Sequence, residues 1–158
     1  MGKIKLMGYT HYWFKPEKLS PELWKKFTDD FVTILPHFEI LLDKTTDQKL
    51  AVDDEMIFFN GIGEYAHETF CLERIDSEFE RRLNKDESLS FSFCKTARKP
   101  YDIAVCCALI IGAKHLPIRV ESDGDEEWED AKRLCQETLG YGEQFQFDSE
   151  YKLVEVKV

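Results

Sequence analysis

The sequence lacks an apolar segment long enough to cross a lipid bilayer. Its longest apolar run, 103–113, is about half the length that a membrane-spanning helix requires. The first six residues include Lys3 and Lys5 and contain no secretory hydrophobic region. We therefore expect a soluble protein that has no contact with membranes. Its predicted location is the cytoplasm of its cell or host.

Basic residues are the minority among the charged side chains. The chain has 31 Asp and Glu against 21 Lys and Arg, which gives a formal net charge of −10 at pH 7. An acidic surface repels phosphate, so this balance argues against non-specific binding to nucleic acid. It leaves open a cationic protein partner, and also a local basic cluster with an anionic ligand of its own.

The sequence has no C-x-x-C pair and no other metal-ligand spacing. Its cysteines are odd in number and lie in apolar stretches, where a reduced thiol behaves as a small hydrophobic group. The candidate ligands His11, His67, His115 and Asp123 would have to converge from separate elements, because no two of them have the helical i, i+4 spacing or a C-x-x-C spacing. We therefore expect core thiols, no metal and no cofactor. The five cysteines are Cys71, Cys94, Cys106, Cys107 and Cys135.

No repeat, low-complexity tract or flexible linker divides the chain. At 158 residues and 43% hydrophobic content, it is long enough for one domain with a real core and too short to suggest two. We predict a single domain over 1–158, in which 1–6 are extra N-terminal residues and 144–158 form a C-terminal pair of strands.

The first half of the chain alternates strand and helix signals. Aromatic and β-branched residues in 4–14 predict a central strand. Ser20 as N-cap and Pro21 at the first helical position predict a helix, which either kinks or breaks at Pro36. Runs at 55–59 and 67–72 predict a hairpin, because the connection Asn60-Gly61-Ile62-Gly63 supplies positive φ angles.

The second half contains the clearest strand and the most apolar helix. A short helix is predicted within 75–83. Residues 88–94 alternate Leu and Phe with Ser, which predicts a strand with one face buried. Pro100 opens a helix that is apolar on all sides, and a strand at 118–121 precedes a helix that ends at Gly140. The order predicts an α+β fold: a mixed, mostly antiparallel sheet with about three helices packed on it.

Five short stretches of the sequence carry a resemblance to known proteins. The most specific stretch is Phe-Cys-Lys-Thr-Ala-Arg-Lys-Pro-Tyr-Asp at 93–102. The others are Met-Gly-Tyr-Thr-His-Tyr-Trp at 7–13, Phe-Asn-Gly at 59–61, His-Glu-Thr-Phe at 67–70 and Ser-Asp-Gly at 122–124. Together they resemble a family of small uncharacterised proteins found in bacteriophages, other viruses and bacteria. The resemblance implies a phage, viral or bacterial source and carries no established activity. The tail 144–158 lies outside it.

The leading site hypothesis is a basic strand-to-helix loop. Lys95, Arg98 and Lys99 lie between a predicted strand and a helix N-terminus, where cations and backbone N–H groups converge on an anion. We expect a phosphate-bearing ligand such as a nucleotide or a nucleotide-derived signal. Surface ion pairs with the surplus carboxylates are the alternative explanation of these cations. The other predicted ligand-binding residues are Tyr9, His11, Asn60, His67 and Tyr101.

Two other functions stay open. The acidic segment 123–130 could bind or inhibit a basic host protein. A hydrolase or transferase could use His11 or His67, with Glu68 nearby, although no acid and base pair is defined by spacing. Cys94 is a weak candidate nucleophile, because no histidine partner is apparent.

Overall fold

The computed structural model describes residues 9–84, 88–126 and 128–157. The start of the predicted first strand, the Met-Gly of the 7–13 stretch and Glu127 in the acidic segment lie outside these ranges. The helices are α1 (Pro21–Ile34), α2 (Phe79–Arg82), α3 (Asp102–His115) and α4 (Trp128–Leu139). The strands are β1 (Thr10–Lys15), β2 (Ala51–Val52), β3 (Met56–Phe59), β4 (Phe70–Glu73), β5 (Leu83–Asn84), β6 (Leu89–Lys95), β7 (Arg119–Ser122), β8 (Phe145–Phe147) and β9 (Leu153–Glu155).

A four-stranded sheet in the order β5-β6-β1-β7 organises the fold. Strand β1 is central, as predicted, and pairs antiparallel with both β6 and β7. The segment β6-α3-β7 is therefore a crossover between two parallel strands, but β1 lies between them. The predicted α+β class is confirmed. Every pairing between the named strands is antiparallel, and two smaller sheets, β2-β3-β4 and β8-β9, accompany the large one.

Helix α3 occupies the middle of the core. Ten of its residues are buried, from Asp102 to Gly112, because the helix is apolar around its whole circumference. Helices α1 and α4 pack against it. No helix in the described ranges is long and apolar enough to cross a membrane.

Helix α1 begins and breaks where its sequence predicts. The Ser20 side chain accepts a hydrogen bond from the Leu23 backbone N–H at 3.2 Å, and Pro21 is the first helical residue. The helix ends at Ile34, and two 3-10 turns at 35–37 and 39–41 follow. Of the two predicted outcomes at Pro36, the break is the observed one. Proline cannot donate the backbone hydrogen bond that would continue the helix.

One face of β6 is buried, as predicted, and it is the face that carries the serines. Ser90 and Ser92 are 0% and 8% exposed, whereas Phe91 and Phe93 are 36% and 47% exposed. The serines lie opposite the long inward-facing side chains of β1, since Ser92 pairs with Trp13 and Ser90 pairs with Lys15. Small residues fit beneath those large ones, so the phenyl rings occupy the outer face. The alternation of period two was right, but it does not say which face is covered.

The cysteines are reduced and lie in or beside the core, as predicted. Cys94, Cys106, Cys107 and Cys135 are buried, and Cys71 is partly exposed. The predicted C-terminal pair of strands is also present, because β8 and β9 form a hairpin. A left-handed Gly140, with φ of 84°, follows the end of α4 at Leu139.

Candidate functional site

The basic loop, residues 95–101, connects β6 to α3 in a strained conformation. The Thr96 N–H donates to the Tyr9 carbonyl oxygen, and the Lys99 N–H donates to the Thr96 carbonyl oxygen, both at 2.9 Å. Between them Ala97 and Arg98 have φ angles of 51° and 56°, in the left-handed region. A side chain makes this region unfavourable by about 1–2 kcal/mol per residue. Such strain persists only where surrounding contacts enforce it, and it concentrates at functional sites.

The glycine loop, residues 60–67, is built on the buried Asn60 side chain. The Asn60 Oδ1 atom accepts hydrogen bonds from the N–H groups of Gly61 at 2.7 Å and His67 at 3.1 Å. Its Nδ2 donates to the His67 carbonyl oxygen at 2.9 Å. A Cβ atom at position 61 would lie 2.3 Å from the Tyr65 carbonyl oxygen, so only glycine fits there. Asn60 is therefore a structural residue of the loop, and its amide is already used.

The two loops meet. The Lys99 Nζ donates to the Glu64 carbonyl oxygen at 3.1 Å. The Glu68 N–H donates to the Lys95 carbonyl oxygen at 3.1 Å, and the Lys95 N–H donates to Glu68 Oε1 at 2.8 Å. The Tyr101 hydroxyl donates to the Glu68 carbonyl oxygen at 2.5 Å. These contacts bring His67 to the same region of the surface as Lys95 and Lys99, although it is far from them in sequence.

Arg98 lies over an aromatic ring instead of extending into solvent. Its guanidinium carbon is 4.1 Å from the centroid of the Tyr9 ring. The Tyr9 hydroxyl in turn donates to the Gly124 carbonyl oxygen at 2.8 Å, which fixes the ring. This cation–π contact holds the Arg98 side chain against the domain. Tyr9 is 1% exposed, so it supports Arg98 and does not present a free face for stacking.

His11 lies in the core beneath the basic loop. Its side chain is fully buried between the ring edges of Tyr9 and Trp128, at centroid distances of 4.9 and 5.0 Å. Its Nδ1 is 2.8 Å from Ser122 Oγ, and its Nε2 is 2.7 Å from Asp102 Oδ1. A ligand at the loop surface therefore cannot touch the imidazole, and His11 acts through Asp102.

The hydrogen bonds of this network extend to Trp128. The Trp128 Nε1–H donates to Ser122 Oγ at 3.2 Å, and that oxygen lies 2.8 Å from His11 Nδ1. The ionised Asp102 carboxylate can only accept, so the imidazole donates to it from Nε2. The order serine, histidine, aspartate is that of a hydrolytic triad, but Ser122 is only 5% exposed. The chain of hydrogen bonds joins β1, β7 and α3 instead of presenting a nucleophile.

Asp102 anchors the start of α3 to this network. It accepts hydrogen bonds from His11, from the Thr96 hydroxyl and, at 3.5 Å, from the Cys106 thiol. Burial opposes ionisation, but these hydrogen bonds prevail and hold the pKa of Asp102 below its usual value. The carboxylate is thus ionised at neutral pH and satisfied by its neighbours.

His11, Asp102 and Cys106 also form the set of side chains nearest to a metal site. Their ligand atoms lie within 4.8 Å of one another, and all three residues are buried. The donor types suit a transition metal such as zinc. However, the imidazole Nε2 that would coordinate the ion already carries the proton donated to Asp102. The hydrogen bonds account for the arrangement without an ion.

The predicted site residues divide into two groups. Lys95, Arg98, Lys99 and His67 have side chains that are at least partly exposed, while Tyr9, His11, Asn60 and Tyr101 are at most 4% exposed and support the loops from below. Sequence reasoning missed three structural partners, Thr96, Asp102 and Ser122. A signal for them existed, because all three fall within the 93–102 and 122–124 stretches.

The cysteine beside the loop is not an activated nucleophile. Burial raises the pKa of the Cys94 thiol well above its usual value, and the Sγ atom donates to the Glu68 carbonyl oxygen at 3.4 Å. A buried neutral thiol of this kind is inert.

No protein-family model, curated protein or solved structure matches the chain.

Proposed function

We propose that the protein binds a small phosphate-bearing ligand at its basic loop. The observation that carries this proposal is that the ammonium groups of Lys95 and Lys99 are not neutralised. Neither Nζ atom lies within salt-bridge distance of a carboxylate in the part of the chain that the structure describes. Lys95 contacts the Phe93 ring, and Lys99 contacts a carbonyl oxygen. In a chain of net charge −10, two such cations within one loop favour an anionic ligand over surface ion pairs.

The backbone around these cations supports the same function. The strained residues Ala97 and Arg98 present the loop in one conformation, and the Lys99 contact with Glu64 fixes the glycine loop beside it. A site that is already ordered loses little conformational entropy when a ligand binds. The ligand class we propose is a nucleotide or a nucleotide-derived signal, bound in the cytoplasm. For a phage or viral protein, the role would be interference with such a signal in the host.

The test is a binding assay with a matched loss of charge. A Lys95→Ala, Lys99→Ala double variant removes both loop ammonium groups. The control is a Lys26→Ala, Lys49→Ala double variant, which removes two exposed lysines elsewhere, so its net charge equals that of the loop variant. In a thermal-shift screen against inorganic phosphate and nucleotides, the wild type and the control should be stabilised equally, and the loop variant should not. Free ligand at about one hundred times its dissociation constant adds about 2.7 kcal/mol, which moves the midpoint by several degrees. Equal shifts in all three proteins would disprove the proposal.

An acidic interaction surface is the second candidate, and one observation favours it. Asp125 and Glu126 are exposed at the start of the segment 123–130. Farther along, Glu129 pairs with Lys132 at 2.8 Å, which reduces the field that a basic partner would meet. Binding to such a partner should weaken as salt rises toward physiological ionic strength, because exposed charges are screened over about 8–10 Å. Salt-independent association would count against this role.

The hydrolase or transferase alternative gains no acid and base pair from the geometry. His11 is buried and bonded to Asp102 and Ser122. Glu68 Oε1 accepts the Lys95 backbone N–H. His67 is exposed, and its backbone N–H and carbonyl oxygen bond to the Asn60 side chain.

A further inference from the structure

A cleft of about 640 Å³ lies next to the basic loop, between the edge of β6 and the strand β4. We call it the edge cleft. Its volume is in the range of small-molecule sites, about 300–1,000 Å³. Its lining residues, which are mostly polar, are Trp13, Glu68, Thr69, Cys71, Arg81, Arg82, Leu83, Asn84, Phe91, Ser92 and Phe93.

The edge cleft adjoins the basic loop, although no residue of 95–101 lines it. Glu68 lines the cleft and is bonded to the backbone of Lys95. The Glu68 N–H donates to the Lys95 carbonyl oxygen, and Glu68 Oε1 accepts from the Lys95 N–H. The Lys95 Nζ lies 5.9 Å from the centroid of the Phe93 ring, and Phe93 lines the same cleft. A molecule with its phosphate on the loop cations would therefore extend into the cleft beside Phe93.

The backbone of Phe93 points into this cleft. The Thr96 N–H bonds to Tyr9, so the even-numbered residues of β6 direct their N–H and C=O groups toward β1. Odd-numbered residues then face the opposite edge, as Lys95 does when it bonds to Glu68. The neighbouring strand β5 pairs only with Leu89 and Ser90. On this edge, neither the N–H nor the C=O of Phe93 bonds to another backbone group among the described residues. One donor and one acceptor therefore face the cleft together.

Aromatic and polar side chains complete the cleft. Phe91 and Phe93 are 36% and 47% exposed and stand with ring centroids 5.9 Å apart. Trp13 is 1% exposed, and its indole Nε1–H has no hydrogen-bond partner among the described residues. A buried donor without a partner beside a polar cleft is a position that a bound water molecule or ligand group would complete.

We propose that the edge cleft binds the planar base of a nucleotide whose phosphate lies on the basic loop. This inference rests on the proposed function and adds the part of the ligand that the cleft recognises. The base edge carries a donor and an acceptor side by side, which match the C=O and N–H of Phe93. The phenyl rings supply a stacking surface, which tolerates any base.

An extended peptide is a poorer match for this cleft. Strand addition requires a row of free backbone groups along an edge. Here β5 pairs with Leu89 and Ser90, and Glu68 bonds to Lys95, which leaves a short gap from Phe91 to Phe93. A planar ligand with one donor and one acceptor fills that gap, whereas a strand would clash with Glu68 at one end and β5 at the other.

The first experiment separates the two parts of the ligand. Calorimetry measures the binding of four ligands: adenosine monophosphate, its nucleoside adenosine, ribose 5-phosphate and inorganic phosphate. Each ligand is tested with the wild type, with Phe93→Ala and with the control Val154→Ala, which shortens an exposed residue of β9. We expect the nucleotide to bind about tenfold more tightly than ribose 5-phosphate. Phe93→Ala removes the ring and keeps the backbone donor and acceptor, so it should reduce that difference and leave ribose 5-phosphate binding unchanged. A nucleotide that binds no more tightly than ribose 5-phosphate to the wild type overturns the inference.

The second experiment uses Cys71, which lines the edge cleft and is the one cysteine that is not buried. Its alkylation by N-ethylmaleimide is followed by mass spectrometry with and without a nucleoside that carries no phosphate. Nucleoside at about ten times its dissociation constant should slow the labelling about tenfold. Protection by nucleosides, with no binding of ribose 5-phosphate, would support base binding in the edge cleft and reject phosphate binding at the basic loop. Phosphate binding without protection, or protection by an unrelated extended peptide alone, would reject the cleft.

Discussion

His11 and Asp102 are joined by a hydrogen bond of 2.7 Å between Nε2 and Oδ1, and this bond ties the central strand β1 to the first turn of α3. Both residues are buried, and Asp102 also accepts a hydrogen bond from the Thr96 hydroxyl. Thr96 lies near the start of the basic loop and Asp102 directly follows its end, so this contact holds both ends of the loop. The exposed cations are thus supported by a polar network in the core. Whatever disturbs that network should disturb the loop as well.

Asp102→Asn should destabilise the protein by about 3–5 kcal/mol, because it removes a buried charge on which His11, Thr96 and Cys106 converge. The midpoint of urea unfolding measures the loss. Asp47→Asn, at an exposed position, is the control and should be within about 0.5 kcal/mol of the wild type. An equally small effect at Asp102 would show that the network contributes little.

The same carboxylate should make stability depend on pH. Burial opposes ionisation of Asp102, but its hydrogen bonds hold its folded-state pKa below the usual 3.8. The stabilisation is therefore complete above about pH 5 and declines as the pH falls through 3.8 toward the folded-state pKa. Urea titrations between pH 3 and 7 should show a steeper acid decline for the wild type than for Asp102→Asn. Parallel curves would contradict this assignment.

Substitutions on the two faces of β6 should lower the free energy of unfolding by different amounts. Ser92→Phe places a large ring against Trp13 at a position that is 8% exposed, so the ring has to displace its neighbours or turn into the edge cleft, and the change should cost about 1–3 kcal/mol. Phe93→Thr removes a ring that is 47% exposed and should cost about 1 kcal/mol or less. Thermal unfolding of both variants decides the point. If Phe93→Thr is the more destabilising change, then the aromatic face is covered.

Ala97→Gly should stabilise the protein by up to about 1 kcal/mol. Ala97 has a φ of 51°, which costs a side-chain-bearing residue about 1–2 kcal/mol and glycine almost nothing. Part of that gain is lost, since glycine is more flexible in the unfolded chain. Ala113→Gly, in α3, is the control and should destabilise by about 1 kcal/mol. A destabilised Ala97→Gly variant would mean that the loop conformation is not strained.

Native alkylation should label one cysteine. Cys71 is partly exposed and the other four thiols are buried. Burial, with a smaller contribution from Glu73, raises the pKa of Cys71 to about 11. The labelling rate should therefore be low at pH 7 and increase steeply up to about pH 11, because the thiolate is the reactive form. Mass spectrometry should find one adduct on the native protein and five after unfolding. Several adducts on the folded protein would contradict the burial of the other thiols.

Much of the fold could be predicted from the sequence because its signals are local. The Ser20-Pro21 start of α1, the break at Pro36 and the cap at Gly140 depend on backbone chemistry within a few residues. The burial of α3 follows from an apolar circumference that only a core position tolerates. These features are properties of short segments, so their neighbours in space hardly change them.

The faces and the site were decided by tertiary structure. The alternation in β6 is symmetric under exchange of its two faces, and only the large side chains of β1 opposite it place the serines inside. Likewise, the sequence put Lys95 and Lys99 in one loop, but it could not bring the glycine loop to them or bury His11 against Asp102. Such contacts join residues that are 35 and 91 positions apart. They depend on how sheets and helices pack, because no local rule relates residues at those separations.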